Sequence, residues 1–222
     1  MIKIILLAVL VIGAATAIGF SSSSSESCEG GRGGGNGGGR PPGGGANGGC
    51  GAGWRRLNRP SGGWCVRAFG GYLTQANAEI QCKSHGATLS GLQNMEEARI
   101  ISNMALSVLN RASGSVWIGA KRTAACTRNG ISSQCTATNS FYWTDNSASG
   151  IAGFVRAHQQ PDNAHGKTQL WAILLSSRTS LRVKHVMWQP GMLDDVACVM
   201  NPSDPSPRAV SGYVCGKKSS RR

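Results

Sequence analysis

The chain has 222 residues, with 23 lysines and arginines against 10 aspartates and glutamates, a formal net charge of +13 and eight cysteines. This length allows one domain with a sizeable core, but not two full domains once the low-complexity N-terminal quarter is set aside. The positive charge favours anionic partners such as sulfated polysaccharide, although the basic residues are dispersed, and a merely solvated basic surface is the open alternative.

The chain begins with the pattern of a secretory signal peptide. Lys3 precedes an apolar run over 4–15, and the small residues Ala15 and Ala17 form a cleavage site, so 1–17 is predicted to be removed. A membrane anchor is the alternative, but the run is shorter than the ~20 residues that a spanning helix needs. We therefore expect a secreted, extracellular protein without a membrane span, in a compartment that disfavours nucleic acid as a partner.

Serine and glycine dominate residues 18–49, which contain almost no apolar side chains to bury. This composition predicts a disordered linker, with a display or self-association segment as the alternative. At Cys50 the composition changes, and tryptophans and aliphatic residues begin to alternate with turn signals. The sequence thus predicts one domain over 50–217 and a short basic tail over 218–222.

Two helices are predicted in the first half of this domain. Thr74 is a suitable N-cap for a short helix that Gly86 ends. Asn94 can cap a second helix, with Glu97 three residues later, and an apolar face at helical spacing predicts that this helix continues until Gly114. That face consists of Ala98, Ile101, Ala105 and Val108.

Short apolar runs follow the helices at 116–118, 141–143, 170–175, 196–199 and 213–215, separated by turn-rich loops. Two helices followed by short strands indicate an α+β domain. Because the eight cysteines include no CxxC pair, an extracellular chain is expected to use them for disulfides rather than for zinc. The sequence alone leaves their pairing open.

Several motifs then occur in a specific order. They are Cys50-x-x-Gly53-Trp54, Trp64-Cys65, Cys82, Val116-Trp117-Ile118-Gly119-Ala120, Trp143-Thr144-Asp145, Gln160-Pro161-Asp162-Asn163, Leu193-Asp194-Asp195 and Tyr213-Val214-Cys215. One such motif is a weak signal, but the ordered series resembles the C-type lectin-like domain, especially its secreted nematode branch. The resemblance implies a disulfide-stabilised fold of two helices, short antiparallel sheets and one long loop.

The resemblance further implies three disulfides, which are Cys50–Cys65, Cys82–Cys215 and Cys126–Cys135. Trp171 stands where the family has the cysteine that would pair with Cys198, so Cys28 and Cys198 are left over. These two can pair with each other, Cys28 can link two chains into a disulfide-bonded dimer, or both can be free thiols.

In sugar-binding members of this family, side-chain oxygens of the long loop and of the following strand hold calcium, and sugar hydroxyls complete its coordination. By this resemblance the calcium ligands are Gln160, Asp162, Asp194 and Asp195, and these residues together with Asn163 form the carbohydrate-binding site. Oxygen ligands of this kind suit calcium. The peptide bond before Pro161 is expected to be cis, as in the family.

Two departures weigh against calcium. Gln169 stands at the place of an acidic ligand, and the strand motif at Asp194 and Asp195 lacks its tryptophan. The alternative is that the carboxylates cap turns or pair with nearby basic residues such as Arg182 and Lys184. Two tryptophans near the site, Trp171 and Trp188, can either stack on a sugar or belong to the core. Two histidines, His158 and His165, can either touch a ligand or be solvated.

The resemblance implies a secreted, non-enzymatic carbohydrate-binding protein that takes part in innate recognition of glycans on microbial or host surfaces. Within the family, the order Gln-Pro-Asp points to galactose-type sugars. The alternative is a calcium-independent lectin-like domain that binds a protein or a sulfated polymer. An enzyme finds little support, because the chain contains neither an HExxH spacing nor a GxSxG elbow.

Overall fold

The computed structural model describes residues 49–183, 186–198, 203–206 and 208–220. The predicted signal peptide at 1–17 and residues 18–48 of the predicted linker, which include Cys28, lie outside the described residues. No helix in the described ranges has the length and apolar character needed to cross a membrane.

The described helices are short. They are α1 Gln75–Ser84, α2 Met95–Leu106 and the single turn α3 Ala164–Lys167, with a 3-10 turn at Ala124–Cys126. The described strands are β1 Arg55–Arg59, β2 Gly62–Gly70, β3 Thr88–Leu89, β4 Ser113–Arg122, β5 Phe141–Trp143, β6 Trp171–Ser177, β7 Leu181–Val183, β8 Val186–Trp188, β9 Leu193–Val196 and β10 Val210–Lys218.

One large sheet connects the two ends of the described chain. Its order is β1-β2-β10-β4-β6-β9, with β3 paired to β10 and β5 paired to β4, while β7 and β8 form a separate hairpin. The β10–β4 pair is parallel and the other pairs are antiparallel. Because β10 lies between β2 and β4, the last strand of the domain is also one of its most central.

Helix α1 begins as predicted. The Thr74 hydroxyl accepts a hydrogen bond from the Asn77 amide at 3.3 Å, and Gly86 beyond the helix has a left-handed φ of +64°. Such a backbone conformation favours glycine and ends the helix. The helix buries Ala78 and Cys82, which brings the Cys82 sulfur to the sheet.

Helix α2 begins at its predicted cap but ends earlier than predicted. The Asn94 side chain accepts from the Glu97 amide at 2.9 Å, and the helix packs its face of Ala98, Ile101 and Ala105 into the core. The prediction that the helix continues to Gly114 is wrong, because β4 starts at Ser113 and pairs with β6. Val108 lies beyond the helix and is 36% exposed.

Four of the five predicted strand runs lie within or largely overlap observed strands, and the fifth is displaced. The run predicted at 196–199 is replaced by β9 at Leu193–Val196. Two adjacent carboxylates in a buried strand contradict ordinary strand composition, and here they are accommodated by arginines, as shown below. The sequence pattern also predicts no strand at β1 or β2, where arginine and glycine are frequent.

The three predicted disulfides are confirmed. Cys50–Cys65 joins the segment before β1 to β2, Cys82–Cys215 joins α1 to β10, and Cys126–Cys135 closes a local loop. Cys198 is also disulfide-bonded, and no described cysteine is free. The alternative of a free Cys198 thiol is therefore wrong.

Arg59 is buried in the core. It donates to the Asp145 carboxylate at 2.7 Å and to the Gly91 carbonyl at 2.8 Å, and it also pairs with Glu97. Its guanidinium lies 4.9 Å from the ring centroid of Trp64. One side chain therefore joins β1 to α2 and to two loops. At the other end, Lys218 closes β10 instead of beginning a separate tail.

We expect the Cys82–Cys215 bridge to be the more stabilising of two testable bridges. It spans 133 residues, against 9 for Cys126–Cys135. In the chain-entropy treatment, its loss lowers the free energy of unfolding by about 5 kcal/mol, against about 2.5 kcal/mol for the local bridge. Urea unfolding of the two paired Cys→Ser variants measures both values, and equal losses would contradict this account.

Candidate functional site

The predicted site residues lie where the loop between β5 and β6 meets β9. The Gln160–Pro161 peptide bond is cis, as predicted. The loop then passes over β9, where the Asp195 carboxylate accepts hydrogen bonds from the Asp162 amide at 3.2 Å and the Asn163 amide at 2.9 Å. The structure thus brings the loop motif and the strand motif together.

The partner of Asp195 is the buried guanidinium of Arg122, at the end of β4. Arg122 Nη2 pairs with the Asp195 carboxylate, Nε donates to the Gln169 carbonyl at 2.9 Å, and Nη1 donates to the Asn129 carbonyl at 3.2 Å. The guanidinium lies 4.7 Å from the Phe141 ring centroid. Arg122 therefore places a positive charge between β9, the end of the β5–β6 loop and the segment between β4 and β5.

Burial and pairing act in opposite directions on these two groups. Burial lowers the pKa of Arg122, and the neighbouring Asp195 carboxylate opposes that effect. Burial raises the pKa of Asp195, and the positive charges of Arg122 and Arg156 oppose the rise. A buried charge pair of this kind is strongly destabilising when one partner is removed, because the other charge is left uncompensated.

Asn163 extends the same network instead of facing solvent. Its backbone has a left-handed φ of 51°. Its side-chain Nδ2 donates to the carbonyls of Thr127 and Asn129 at 3.0 and 3.1 Å, and its side-chain Oδ1 accepts from the Gln169 backbone amide at 3.1 Å. The Gln169 side chain in turn donates to the Asp195 carbonyl at 2.8 Å. Asn163 and Gln169 thereby hold the loop in one conformation.

Asp194 lies on the other face of the sheet. In the β6–β9 pair, Asp194 is opposite Ile173 and Asp195 is opposite Ala172, and successive strand residues point to opposite faces. The Asp194 carboxylate is 1% exposed and lies 2.5 Å from Arg208 Nη2, at ion-pair distance but without hydrogen-bond geometry. Burial raises the pKa of Asp194 to about 7, although Arg208 opposes the rise.

A third arginine completes the positive environment. The guanidinium nitrogens of Arg156 are buried without a hydrogen-bond partner, and the group lies 4.3 Å from the ring centroid of Phe141 and 5.5 Å from that of Phe154. Burial lowers the pKa of Arg156 to about 10, while the carboxylates of Asp195 and Asp194 oppose the shift.

Of the five predicted site residues, only Gln160 and Asp162 reach solvent. Asp162 is exposed and Gln160 is half-buried, whereas Asn163, Asp194 and Asp195 are buried. The Gln160 side chain accepts from the Asp162 amide at 3.0 Å, and the Asp162 carboxylate accepts from the Ala164 amide at 3.1 Å. These two bonds orient both side chains at the surface of the cis turn.

The residues as arranged do not fit the predicted calcium site. The Asp195 carboxylate pairs with Arg122 and accepts hydrogen bonds from two backbone amides, and Asp194 points to the opposite face of the sheet. Within the described ranges, no three His, Cys, Asp or Glu side chains cluster in a way that could hold a metal ion. The alternative of pairing with basic residues agrees with the structure, but the partners are Arg122 and Arg208 instead of Arg182.

The surrounding candidates are divided by burial. Trp188 is buried in a small core cluster with Ala157 and Leu175, as expected for a core residue. Trp171 is half-buried, and Lys121 Nζ lies 5.1 Å from its ring centroid. His158 is exposed. The side chains of His165 and Lys184 lie outside the described part of the chain.

Comparison with known proteins gives a consistent picture. The family described as C-type lectin domain-containing protein 141/158 matches residues 55–218. Human lithostathine is similar in structure, with 15% identity, 78% of this chain and 94% of that chain covered, and a TM-score of 0.50. The cow C-type carbohydrate-recognition domain of CD23, solved in the presence of GlcNAc2Man3 oligosaccharide, has 17% identity, coverage of 78% and 98%, and a TM-score of 0.50. Such low identities are informative about the fold alone. Among curated proteins, none has a significant sequence match.

The raised pKa of Asp194 predicts a stability that falls with pH. Its folded pKa is about 7, whereas an unfolded aspartate titrates near 3.9, so between these values the folded state holds a proton that the unfolded state has lost. The free energy of unfolding should therefore fall by up to about 1.4 kcal/mol per pH unit from about pH 4 to 7. Asp194→Asn should reduce this slope in urea unfolding measured across that range.

Asp162→Asn is the matched control, because it changes an exposed carboxylate of the same region and retains Asp194. It should keep most of the wild-type slope, because the Asp162 charge is the weakest of the effects that raise the pKa of Asp194. An Asp194→Asn variant with an unchanged slope would show that another group causes the pH dependence.

Proposed function

The chain belongs to the C-type lectin domain-containing protein 141/158 family, and from this membership we propose that it is a secreted glycan-binding module that works without a resident calcium ion. The two helices, the long loop and the three disulfides agree with the C-type lectin-like fold predicted from the sequence. The disulfides support an oxidising compartment, and hence the extracellular location.

The observation that carries metal independence is the Arg122–Asp195 pair. A cation is needed where carboxylate and loop oxygens converge, and the Arg122 guanidinium supplies one from within the chain. Unlike a metal, it neither dissociates nor depends on calcium concentration. The loop is then held in place before any ligand arrives, which reduces the entropy cost of binding.

The proposed site divides its residues into two roles. Gln160 and Asp162 contact the glycan, because their side chains reach solvent on an ordered turn, and both can form hydrogen bonds with sugar hydroxyls. The buried residues have structural roles. Asn163 and Asp195 hold the turn through hydrogen bonds to backbone groups, and Asp194 faces Arg208 on the opposite side of β9. The proposal involves binding and no catalytic step.

Galactose-terminated glycans are the first ligands to test, since the Gln160-Pro161-Asp162 order is the galactose-type order of the resemblance. Glycans on microbial or host surfaces would be the natural source for an extracellular protein, which agrees with a role in innate recognition. The calcium-dependent mechanism is the competing form of the same function, and the experiment below separates the two.

The test is binding of the purified protein to an array of galactose- and mannose-terminated glycans, first in EDTA and then in millimolar calcium. Equal binding in both conditions is expected. The double variant Gln160→Ala, Asp162→Ala should weaken binding at least tenfold, because both proposed hydrogen-bonding side chains are removed.

Glu96→Ala is the control, because it removes an exposed carboxylate on α2 instead of one on the cis turn, and should bind like the wild type. Binding that requires calcium would replace the proposal with the calcium-dependent mechanism. The absence of glycan binding in either buffer would overturn the carbohydrate function itself.

A further inference from the structure

A second surface, at the other end of the sheet, carries basic side chains on one face. In the pairing of β1, β2 and β10, both Arg56 and Lys217 are opposite Cys65, and Arg67 is two residues further along β2, opposite Cys215. Directly opposed residues in antiparallel strands share a face, as do residues two apart in one strand. These positions therefore project to the same side of the sheet.

Aromatic rings hold two of these cations in place. Lys217 Nζ lies 4.2 Å from the ring centroid of Trp54 and donates to the His85 carbonyl at 3.1 Å. The guanidinium of Arg67 lies 4.9 Å from the ring centroid of Phe69. Cation–π contacts of this kind restrict long, flexible side chains, so less entropy is lost when they bind an anion.

The aromatic support is itself ordered by stacking. Phe69 stacks on Tyr213 at 5.3 Å and on His85 at 4.9 Å between ring centroids, and it makes an edge contact with Trp54 at 6.3 Å. Because these rings belong to the sheet and to the end of α1, the cations are presented by a rigid base. We call Arg67, Lys217 and their aromatic supports the basic aromatic face.

The positive charge of this face is not compensated within the described chain. Neither Arg67 nor Lys217 pairs with a carboxylate among the described residues. The pKa of Lys217 is lowered by burial and by the nearby charge of Arg67. Elsewhere the protein neutralises fixed arginines with buried carboxylates, as at Arg59 and Arg122. Here two like charges are kept side by side, which is unfavourable until an anion binds.

We propose that the basic aromatic face binds a sulfated polysaccharide, at a site distinct from the long loop. Arg56 and Lys217 lie on the two strands that flank Cys65 and are therefore two strand spacings apart, about 10 Å. Cations thus recur across this side of the sheet, as sulfate groups recur along such a polymer. A membrane surface fits less well, because the ring of Trp54 is only 7% exposed and is not available to insert into lipid. The sequence after the described residues contains two more basic residues, Arg221 and Arg222.

The probe is heparin, with binding measured by calorimetry on the purified full-length protein at several salt concentrations. The double variant Arg67→Gln, Lys217→Gln should bind heparin at least tenfold more weakly and with a shallower salt dependence, since two ion contacts are lost. The matched control is Arg99→Gln, Arg182→Gln, which removes the same charge from exposed positions elsewhere and should retain most of the affinity. Thermal unfolding verifies that each variant is folded.

The charge-retaining variant Arg67→Lys, Lys217→Arg should preserve heparin binding, which separates lost charge from lost structure. Equal weakening in the matched control would overturn the proposal in favour of nonspecific attraction by net charge. Equal binding of desulfated heparin would overturn the assignment to sulfate, and comparable binding to phosphatidylserine vesicles would reassign the face to lipid. The loop variant Gln160→Ala, Asp162→Ala should bind heparin normally, so failure of the loop proposal and failure of this one are distinguishable.

Discussion

The buried pair of Arg122 and Asp195 is the interaction on which the candidate site depends. It joins the end of β4 to β9, and through the amides of Asp162 and Asn163 it fixes the turn that exposes the proposed ligand-binding side chains. Burying two charges has a large desolvation cost, which only close pairing and further hydrogen bonds offset. Here the carbonyls of two loop segments and two backbone amides supply those bonds. A cation from the chain itself thereby pairs with Asp195, a residue that the sequence resemblance assigns as a metal ligand.

Buried ion pairs between arginine and carboxylate also occur in the core, and they affect the charge of the surface. Arg59 pairs with the carboxylates of Glu97 and Asp145, while Arg208 faces Asp194. Much of the chain's scarce acidic charge is therefore paired inside the protein. The outer surface keeps its positive charge with few carboxylates to oppose it, which is the physical basis for an affinity towards anionic polymers. The loop site and the basic aromatic face thus follow from one distribution of charge.

Local signals predicted the starts of the helices and most strands, and the resemblance implied the fold and its three disulfides. Long-range pairing explains what both missed. The caps Thr74 and Asn94 act within three residues, so the sequence revealed where both helices begin. Arg122 and Asp195 are 73 residues apart, and no local pattern links them. In the structure, adjacent residues of β9 point to opposite faces of the sheet, so Asp194 and Asp195 meet different arginines. Strands β1 and β2, where arginine and glycine are frequent, were not predicted, because their burial comes from tertiary packing rather than from composition.

Thermal unfolding of the wild-type protein in EDTA and in calcium tests the central claim most directly. If Arg122 is the resident cation, the transition temperature is the same in both buffers. A ligand that binds only the folded state stabilises it by about 2.7 kcal/mol at a hundred times its dissociation constant. A calcium-dependent rise of the transition temperature that saturates with concentration, and that Asp162→Ala abolishes, would contradict the account.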